Sequence, residues 1–263
     1  VFGLGKIGLP IACVFAEKGF NVIGVDVKKE VVKKINRGIS PIDEPKIPQL
    51  VRKLTKKKKL IATTDVAYAV KKSDVSIVIV PTLVKNKKPY LKYLETAIDE
   101  IAKNFEENHL IIISSTLPPG TSLKLAKKLR KRKKKFGLAH APERVSPGTV
   151  VRDLTGQYPQ IIGGLDKESA LAAKYLYKSI NPRVIVTSDI TTAEMVKLAE
   201  MIERDVRIAY ANELALICEK VGVDVTEVIK CANTNKPYTH ILKPVSYTHL
   251  RAHETEADLV CRL

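Results

Sequence analysis

Short apolar runs rich in Val and Ile alternate with amphipathic helical patterns along the first 187 residues. Strands that alternate with helices are typical of repeated βαβ units. The predicted fold class is therefore α/β, a Rossmann-like doubly wound sheet of mostly parallel strands. The predicted strands are 22–27, 60–63, 75–80, 110–114, 137–141, 160–163 and 184–187, and the predicted helices include 10–18, 30–37, 94–104 and 122–132.

The pattern changes after residue 187, where apolar residues recurring at three- and four-residue steps predict one long helix over 191–221. Gly222 is expected to end this helix, and a second helix is predicted over 226–232. The candidate N-caps of the long helix are Asp189, Thr191 and Thr192.

These patterns predict two domains. A nucleotide-binding domain is expected over 1–188, with a first strand of which only Val1 and Phe2 remain. Part of a helical domain is expected over 189–244. A helix as long as 191–221 can join two domains or form a dimer seam, and the alternative is that it packs only on its own sheet.

Residues 245–263 lose both the helical and the strand periodicity. The string Val-Ser-Tyr-Thr-His-Leu-Arg-Ala-His-Glu-Thr resembles the translation of a sequencing transposase adapter, and the last six residues resemble a translated flow-cell primer. We predict that this segment derives from library DNA. His249 and His253 are therefore not interpreted as metal ligands.

The composition is that of a globular protein, with 263 residues, 45% of them hydrophobic, and a formal net charge of +17. No apolar run approaches the roughly 18 residues needed to span a bilayer. The charge favours anionic partners such as nucleic acid, acidic lipid or phosphorylated small molecules.

Two basic runs, 52–59 and 127–135, are expected at helix C-termini, where cations complement the helix dipole. A nucleic-acid-binding module is the alternative, although no aromatic residues are interleaved for stacking.

The four cysteines lie far apart and form no Cys-x-x-Cys pair. We therefore predict neither a disulfide scaffold nor a metal site, and we expect a cytoplasmic location. Cys13, Cys218 and Cys231 are expected to be packing residues. Cys261 lies in the tail.

A glycine-rich sequence, Gly-Leu-Gly-Lys-Ile-Gly at 3–8, precedes the first helix. Gly3 would allow a tight turn, Gly5 a close approach of backbone to a pyrophosphate, and Gly8 close helix–strand packing. Asp26 ends the next strand 18 residues after Gly8, where a carboxylate accepts hydrogen bonds from the adenosine ribose. This pattern predicts an NAD site, and the alternative is a glycine turn that serves packing alone. The predicted cofactor-binding residues here are Gly3, Gly5, Lys6, Ile7, Gly8 and Asp26.

Two further loops follow predicted strands and carry hydroxyl groups. Pro81 and Thr82 follow one strand, and Ser115 and Thr116 follow the next. Ligands of open α/β sheets bind outside the carboxyl ends of the strands, so these residues are predicted to face the nicotinamide and the substrate. The alternative is that they cap the next helix, with Thr121 as its N-cap.

Seven ordered motifs resemble those of the UDP-glucose/GDP-mannose dehydrogenase family over residues 1–244. They are Gly-Leu-Gly-x-x-Gly-Leu-Pro at 3–10, Gly-Ile-Ser-Pro at 38–41 with Glu-Pro at 44–45, Val-Pro-Thr at 80–82, Ser-Thr-x-Pro-x-Gly-Thr at 115–121, Ala-Pro-Glu-Arg at 141–144 with Pro-Gly at 147–148, Ile-Gly-Gly at 162–164 and Ala-Glu-Met-x-Lys at 193–197. Within the family, the sequences at 204–206 and 211–215 are most similar to the UDP-N-acetyl-D-mannosamine dehydrogenases.

The resemblance implies oxidation of the C6 alcohol of a UDP-sugar to a carboxylate with NAD, for glycan precursor synthesis. UDP-N-acetyl-D-mannosamine is the first expectation, and UDP-glucose or UDP-N-acetylglucosamine are alternatives. The resemblance further implies that Thr116 positions the catalytic water, that Glu143 lies near it, and that Lys197 stabilises the oxyanion. A homodimer through the helix at 191–221 is also implied, with no metal, membrane or nucleic-acid partner. The implied substrate-binding residues are Glu143, Arg144, Lys197 and Asn212.

The chain departs from the family pattern at several positions. Met201 replaces the family's asparagine, Leu83 a proline found in many members, and Lys46 a glycine. The family's glycine-rich segment with its nucleophilic cysteine does not occur before residue 245, so we expect an inactive N-terminal fragment that lacks the nucleotide-sugar domain. The β-hydroxyacid and 6-phosphogluconate dehydrogenases share the glycine-rich start, but they usually carry an arginine after the second strand, where this chain has Asp26.

Overall fold

The structure is a computed structural model that describes residues 1–235 and 239–245. All seven predicted strands are present close to their predicted bounds, together with a short hairpin, β4 and β5, that the sequence pattern did not indicate. The strands are β1 Val22–Val25, β2 Leu60–Thr63, β3 Val75–Val78, β4 Leu83–Lys85, β5 Lys88–Tyr90, β6 His109–Ile113, β7 Phe136–His140, β8 Gln160–Gly164 and β9 Val184–Val186. The helices are α1 Gly8–Glu17, α2 Lys29–Asn36, α3 Ile47–Lys56, α4 Val66–Lys71, α5 Lys92–Asn104, α6 Thr121–Arg130, α7 Val150–Arg152, α8 Lys167–Lys178, α9 Ile190–Val221 and α10 Val225–Ala232, and Asp153–Gln157 is a π-helical segment.

The strands of the main sheet follow the Rossmann order. Phe2, which stands for the first strand, forms parallel bridges with Val25 of β1 and Val78 of β3. The order is therefore β2-β1-Phe2-β3-β6-β7-β8-β9, in which the first six positions are parallel. Strand β8 runs antiparallel to β7, and β9 runs parallel to β8. The predicted doubly wound sheet is confirmed.

Two apolar clusters pack the helices onto the sheet. Leu9, Ile11 and Phe15 of α1 belong to one cluster, which also takes in residues of α3 and α8. The other cluster holds α4, α5 and α6 against β3 and β6. All five residues of β6 are buried, as expected for a central strand that is covered by helices on both faces.

The long helix α9 agrees with the prediction within one residue. The Asp189 carboxylate accepts a hydrogen bond from the Thr192 amide at 2.9 Å, so Asp189 is the cap among the three candidates. Gly222 follows the helix with a φ of 74°, a conformation that favours glycine at a helix end.

The packing prediction for the cysteines is correct for Cys13 and Cys218 and wrong for Cys231. Cys13 and Cys218 are buried, whereas Cys231 is exposed. Helix α10 buries Ile229, and a residue two positions further along a helix lies on nearly the opposite side.

The chain forms two compact units. The first comprises Val1–Lys85 and Pro89–Lys197, and the second comprises Asn86–Lys88 and the described residues from Leu198 onward. Within the described ranges, no helix combines the length and apolar character that a bilayer crossing requires. The predicted library-derived segment lies outside the described residues, apart from Val245.

Candidate active site

The glycine-rich loop is shaped by two glycines and open at the third. Gly3 has a φ of 92°, and a Cβ atom built there would lie 2.2 Å from the carbonyl oxygen of Ile79. A Cβ atom on Gly8 would lie 1.8 Å from the carbonyl oxygen of Gly3. A Cβ atom on Gly5 would meet no atom within 4 Å. Gly3 and Gly8 are therefore required by packing, whereas Gly5 borders open space that a ligand can occupy.

The N-terminus of α1 is open to an anion. The helix begins at Gly8 without a side-chain cap and without an acidic residue in its first turn. The Leu9 amide already donates to the Gly5 carbonyl at 3.2 Å and Pro10 has no N–H, so the positive end of the helix dipole at Gly8 is what the first turn offers to a pyrophosphate. Lys6 is exposed in the preceding loop, and Ile7 is half-buried.

The carboxylate of Asp26 is fixed beside the glycine-rich loop. One oxygen accepts a hydrogen bond from the Leu4 amide and the other from the Lys28 amide, each at 2.9 Å. Each oxygen retains capacity to accept a second hydrogen bond. The side chain is half-buried, so both oxygens are held in a geometry that can receive the two hydroxyl groups of a ribose.

Ser115 connects the loops that follow β3 and β6. Its hydroxyl donates to the Val80 carbonyl at 2.8 Å and accepts from the Val80 amide at 2.9 Å. This pair of bonds fastens the backbone next to Pro81 and Thr82. Ser115 is buried, whereas Thr82 and Thr116 are half-buried, so the two threonines are the hydroxyl groups of these loops with access to a ligand.

The prediction of Thr121 as an N-cap is wrong, because the cap of α6 comes from another helix. Gly120 occupies the N-cap position, and the Thr121 hydroxyl donates to the Pro118 carbonyl at 2.6 Å. The buried carboxylate of Glu194 on α9 accepts the amides of Gly120 at 2.6 Å and Ser122 at 2.7 Å. Glu194 therefore ties α9 to the end of the loop that carries Thr116.

Glu194 was missed as a functional residue, although it lies one helical turn before Lys197 in a quoted motif. We expect Glu194→Gln to lower the free energy of unfolding by about 2 to 3 kcal/mol, because the amide group retains one acceptor and presents a donor to the second N–H. Urea titration followed by circular dichroism measures the change. The control is Glu203→Gln, which removes an exposed ion pair with Arg207 and should cost under about 0.5 kcal/mol. Equal losses in the two variants would refute the capping role.

A buried acid lies at the carboxyl end of β7. The Tyr177 hydroxyl donates to Glu143 Oε1 at 3.4 Å and lies 3.3 Å from the Ser114 hydroxyl. Burial raises the pKa of Glu143 to about 8, and the positive charge of Lys197 opposes this rise. Burial also holds the pKa of Tyr177 well above its usual value. Ser114 and Tyr177 were not predicted from the sequence, because neither lies in a motif that gives it a role.

The structure brings three predicted site residues to the same edge of the sheet. Thr116 follows β6 and Glu143 follows β7, and these strands are parallel neighbours, so both loops lie at the carboxyl edge. Lys197 on α9 interacts electrostatically with Glu143. A carboxyl that keeps its proton near neutral pH, beside an ammonium group, can exchange a proton with a ligand and stabilise a negative oxygen.

Arg144 and Asn212 have well-defined neighbours elsewhere. The Arg144 guanidinium donates to the Pro159 carbonyl at 3.0 Å and lies 6.0 Å from the Tyr158 ring. Asn212 belongs to the second compact unit, where its side-chain oxygen accepts a hydrogen bond from the Val245 amide at 2.9 Å. Their assignment to substrate remains a prediction.

A cavity of about 750 Å³ contains none of the predicted site residues. It lies between the segment after α2 and the start of α3. The cavity is lined by Arg37, Gly38, Ile39, Ser40, Pro41, Ile42, Asp43, Pro48, Gln49 and Arg52.

No group of three or more metal-ligating side chains occurs in the part of the chain that the structure describes.

The sheet order, the glycine-rich loop and the carboxylate at the end of β1 define a Rossmann-type dinucleotide-binding protein. Residues 1–181 match the NAD-binding domain of the UDP-glucose/GDP-mannose dehydrogenase family, and residues 191–246 match its central domain. The chain belongs to the UDP-glucose/GDP-mannose dehydrogenase family.

Three similar proteins illustrate this relationship. A UDP-N-acetyl-D-mannosamine dehydrogenase from Pyrococcus horikoshii is 43% identical over 240 residues, which cover 89% of this chain and 57% of the relative. An NDP-N-acetyl-D-galactosaminuronic acid dehydrogenase from Ralstonia nicotianae is 40% identical, covering 93% of this chain and 59% of the relative. The solved structure of a UDP-N-acetyl-D-mannosamine dehydrogenase from Pyrococcus horikoshii has a TM-score of 0.90 at 39% identity, covering 100% of this chain and 66% of that chain. The chain thus spans less than two thirds of the curated relatives' length.

Proposed function

We propose that the protein to which this chain belongs oxidises the C6 alcohol of a UDP-sugar to a carboxylate with NAD as oxidant. UDP-N-acetyl-D-mannosamine is the proposed substrate, since a dehydrogenase of that name from Pyrococcus horikoshii is 43% identical. The observation that carries the proposal is the buried Glu143 carboxyl beside Lys197 at the carboxyl edge of the sheet. Acid–base and oxyanion chemistry at this edge suits an alcohol oxidation.

The residues of the glycine-rich loop fit NAD. The open space at Gly5 suits a pyrophosphate, and the fixed carboxylate of Asp26 suits a ribose with two free hydroxyls. A 2′-phosphate in place of one hydroxyl would be repelled by Asp26. When bound, NAD supplies the hydride acceptor for the reaction. Pro81, Thr82 and Thr116 complete the proposed cofactor site, and Ser115 supports it by holding the Val80 backbone in place.

Three side chains carry the proposed chemistry. Glu143 keeps its proton up to a pKa of about 8, so it can hydrogen-bond to a substrate oxygen and exchange a proton with a nearby water. The Lys197 ammonium stabilises negative charge on the oxygen bound to C6. The half-buried Thr116 hydroxyl orients the water that is consumed in forming the carboxylate. Glu143, Arg144, Lys197 and Asn212 are the proposed contacts to the UDP-sugar.

We also propose a homodimer through the part of α9 in the second unit. Val206, Tyr210, Ile217 and Val221 are more than half exposed and recur at four- and seven-residue steps. A stripe of this spacing lies on one face of a helix and is typical of helix pairing. We further propose that the enzyme is cytoplasmic.

The cofactor proposal predicts a preference between dinucleotides. Calorimetric titration of this chain should give at least tenfold tighter binding for NAD than for NADP. Asp26→Asn should reduce that ratio to below about threefold, because the charge that repels the 2′-phosphate is lost. The exposed Glu213→Gln is the matched control and should leave the ratio unchanged. Equal affinities in the unaltered chain would contradict an Asp26-based NAD site.

Activity is tested on the product of the complete reading frame, obtained by long-read resequencing across the codon for Pro244. Two NADH should form for each UDP-N-acetyl-D-mannosamine consumed. UDP-glucose and UDP-N-acetylglucosamine are compared under the same conditions. A faster reaction with either sugar would replace the proposed substrate, and no NADH from any of the three would refute the reaction.

A further inference from the structure

Basic residues gather at the amino edge of the sheet, opposite the candidate active site. In a parallel α/β sheet each helix runs back from the carboxyl edge of one strand to the amino edge of the next. Helices α3 to α6 each lead directly into a strand and carry lysine or arginine in their last turn, and those turns therefore end at the same edge. These last-turn residues are Lys53, Lys56, Lys71, Lys103, Lys127, Lys128 and Arg130.

The two densest runs, 56–59 and 131–135, precede β2 and β7. Each is anchored to the neighbouring turn at this edge. The Lys59 ammonium donates to the Gly19 carbonyl at 2.9 Å, and the Lys134 ammonium donates to the Phe105 carbonyl at 2.8 Å. Strands β2 and β7 are five strand spacings apart in the sheet, or ~24 Å. The positive charge therefore extends along most of the edge.

The charge also extends across both helical layers. Helices α1 and α3 pack together on one side of the sheet, whereas α4 and α6 each contact α5 on the other side. The run at 56–59 lies at the C-terminus of α3 in the first layer, and the run at 131–135 follows the C-terminus of α6 in the second layer. We define the amino-edge face as the basic residues in these turns: Lys18, Lys56, Lys57, Lys58, Lys59, Lys71, Lys72, Lys103, Arg130, Lys131, Arg132, Lys133, Lys134 and Lys135.

Few acids compensate this charge. Glu17, Asp74, Glu100, Glu106 and Glu107 are the acidic residues in or next to these turns. Glu100 forms an ion pair with Lys103, and Glu106 forms an exposed ion pair with Lys134 at 3.2 Å. Five acids beside fourteen basic residues leave most of the face uncompensated. Mutual repulsion of such closely spaced cations costs free energy, whereas complementing helix C-termini requires only one or two cations for each helix.

We propose that the amino-edge face binds the surface of a bilayer that contains anionic phospholipid. Lysine, a mobile point charge, predominates over arginine, whose planar fork is typical of nucleic-acid recognition. Rings for base stacking are sparse in these turns, since Phe105 is buried and the 39% exposed Phe20 packs edge-on against Phe15 with ring centroids 5.7 Å apart. A broad face over two layers matches a planar anionic surface better than a narrow nucleic-acid strand.

Binding at this face leaves the cofactor edge accessible. The glycine-rich loop, Asp26 and Glu143 lie at the carboxyl ends of the strands, opposite the amino-edge face. The membrane proposal is therefore independent of the proposed reaction. It concerns attachment by surface charge, so it is compatible with the absence of a spanning helix among the described residues.

Vesicle sedimentation tests the proposal on the 263-residue chain. The chain should co-sediment with vesicles of phosphatidylcholine and ~30% phosphatidylglycerol at ~0.1 M salt, and not with pure phosphatidylcholine. Raising the salt to ~0.5 M should release it, because the Debye length shortens. A quadruple variant, with Lys56, Lys57, Lys131 and Lys133 changed to Gln, should bind the anionic vesicles at least tenfold more weakly than the unaltered chain. All four lysines are exposed, and their side chains form no hydrogen bond or ion pair in the structure.

The matched control removes the same charge from other surfaces, by changing Lys92, Lys178, Lys220 and Lys230 to Gln. Its vesicle binding should stay within about threefold of the unaltered chain. Equal loss in both variants would show an effect of net charge alone and overturn the assignment to this face. Release from the vesicles by a duplex DNA at equal phosphate concentration would also overturn it, in favour of nucleic acid. Circular dichroism confirms that each variant is folded.

Discussion

Glu143→Gln should remove a pH dependence of stability that the unaltered chain shows between about pH 5 and pH 8. The native state holds a proton on Glu143 up to a pKa of about 8, because the carboxyl is buried, whereas the unfolded chain releases it near 4.5. The native state thus binds more protons in this range, and its stability falls as the pH rises. Gln stays neutral throughout. Relative to the variant, the unaltered chain should lose about 3 kcal/mol between about pH 5.5 and pH 8.5.

Urea titrations at the two pH values measure this difference. Burial also lowers the pKa of His140 to about 4, but both proteins contain that histidine, so its contribution cancels. The exposed Glu168→Gln is the control and should show no trend with pH against the unaltered chain. A difference between the Glu143→Gln variant and the unaltered chain that stays constant with pH would show that Glu143 is ionised in the native state at neutral pH.

Gly8→Ala should destabilise the chain by more than about 4 kcal/mol, among the largest effects of a single methyl group. The new Cβ atom would lie 1.8 Å from the carbonyl oxygen of Gly3 and 2.8 Å from a methyl carbon of Ile79. Neither side can move easily, because the Gly3 amide is bonded to the Val25 carbonyl at 2.8 Å and α1 is buried along nearly its whole length. Thermal and urea unfolding measure the loss.

Gly5→Ala is the matched control in the same loop. Its Cβ atom would meet no atom within 4 Å, so the free energy of unfolding should change by less than about 0.5 kcal/mol. Comparable destabilisation by the two substitutions would mean that the loop does not have the packing described. If Gly5 borders the pyrophosphate as proposed, the folded Gly5→Ala variant should also bind NAD at least tenfold more weakly.

The elements of the sheet were predictable because their signals are local. A buried strand such as β6 requires a continuous apolar run, and α9 requires apolar residues at helical steps, so neither depends on a distant part of the chain. The hairpin of β4 and β5 was not predictable in this way. Its three-residue strands are almost entirely exposed and contain lysines, so no alternation of apolar residues marks them.

The site was predictable where backbone geometry restricts the residue type. Gly3 is required because its turn has a positive φ, and Gly8 is required because the helix packs closely against the preceding strand and loop. The role of Ser115 was not recoverable in the same way. Its hydroxyl was expected to face a ligand, yet it bonds both polar groups of Val80, which lies 35 residues earlier.

The sequence by itself determined the α/β class, the long helix, the family and the glycine-rich loop, since each depends on residues that are close together in the chain. Only the tertiary structure decided that Glu194 caps α6 from 72 to 74 residues away, and that Tyr177 bonds Glu143 from 34 residues away. Hydrogen bonds between buried groups depend on distances of about 3 Å, which the packing of helices on the sheet sets. The raised pKa of Glu143 has the same origin, because burial exists only in the folded chain.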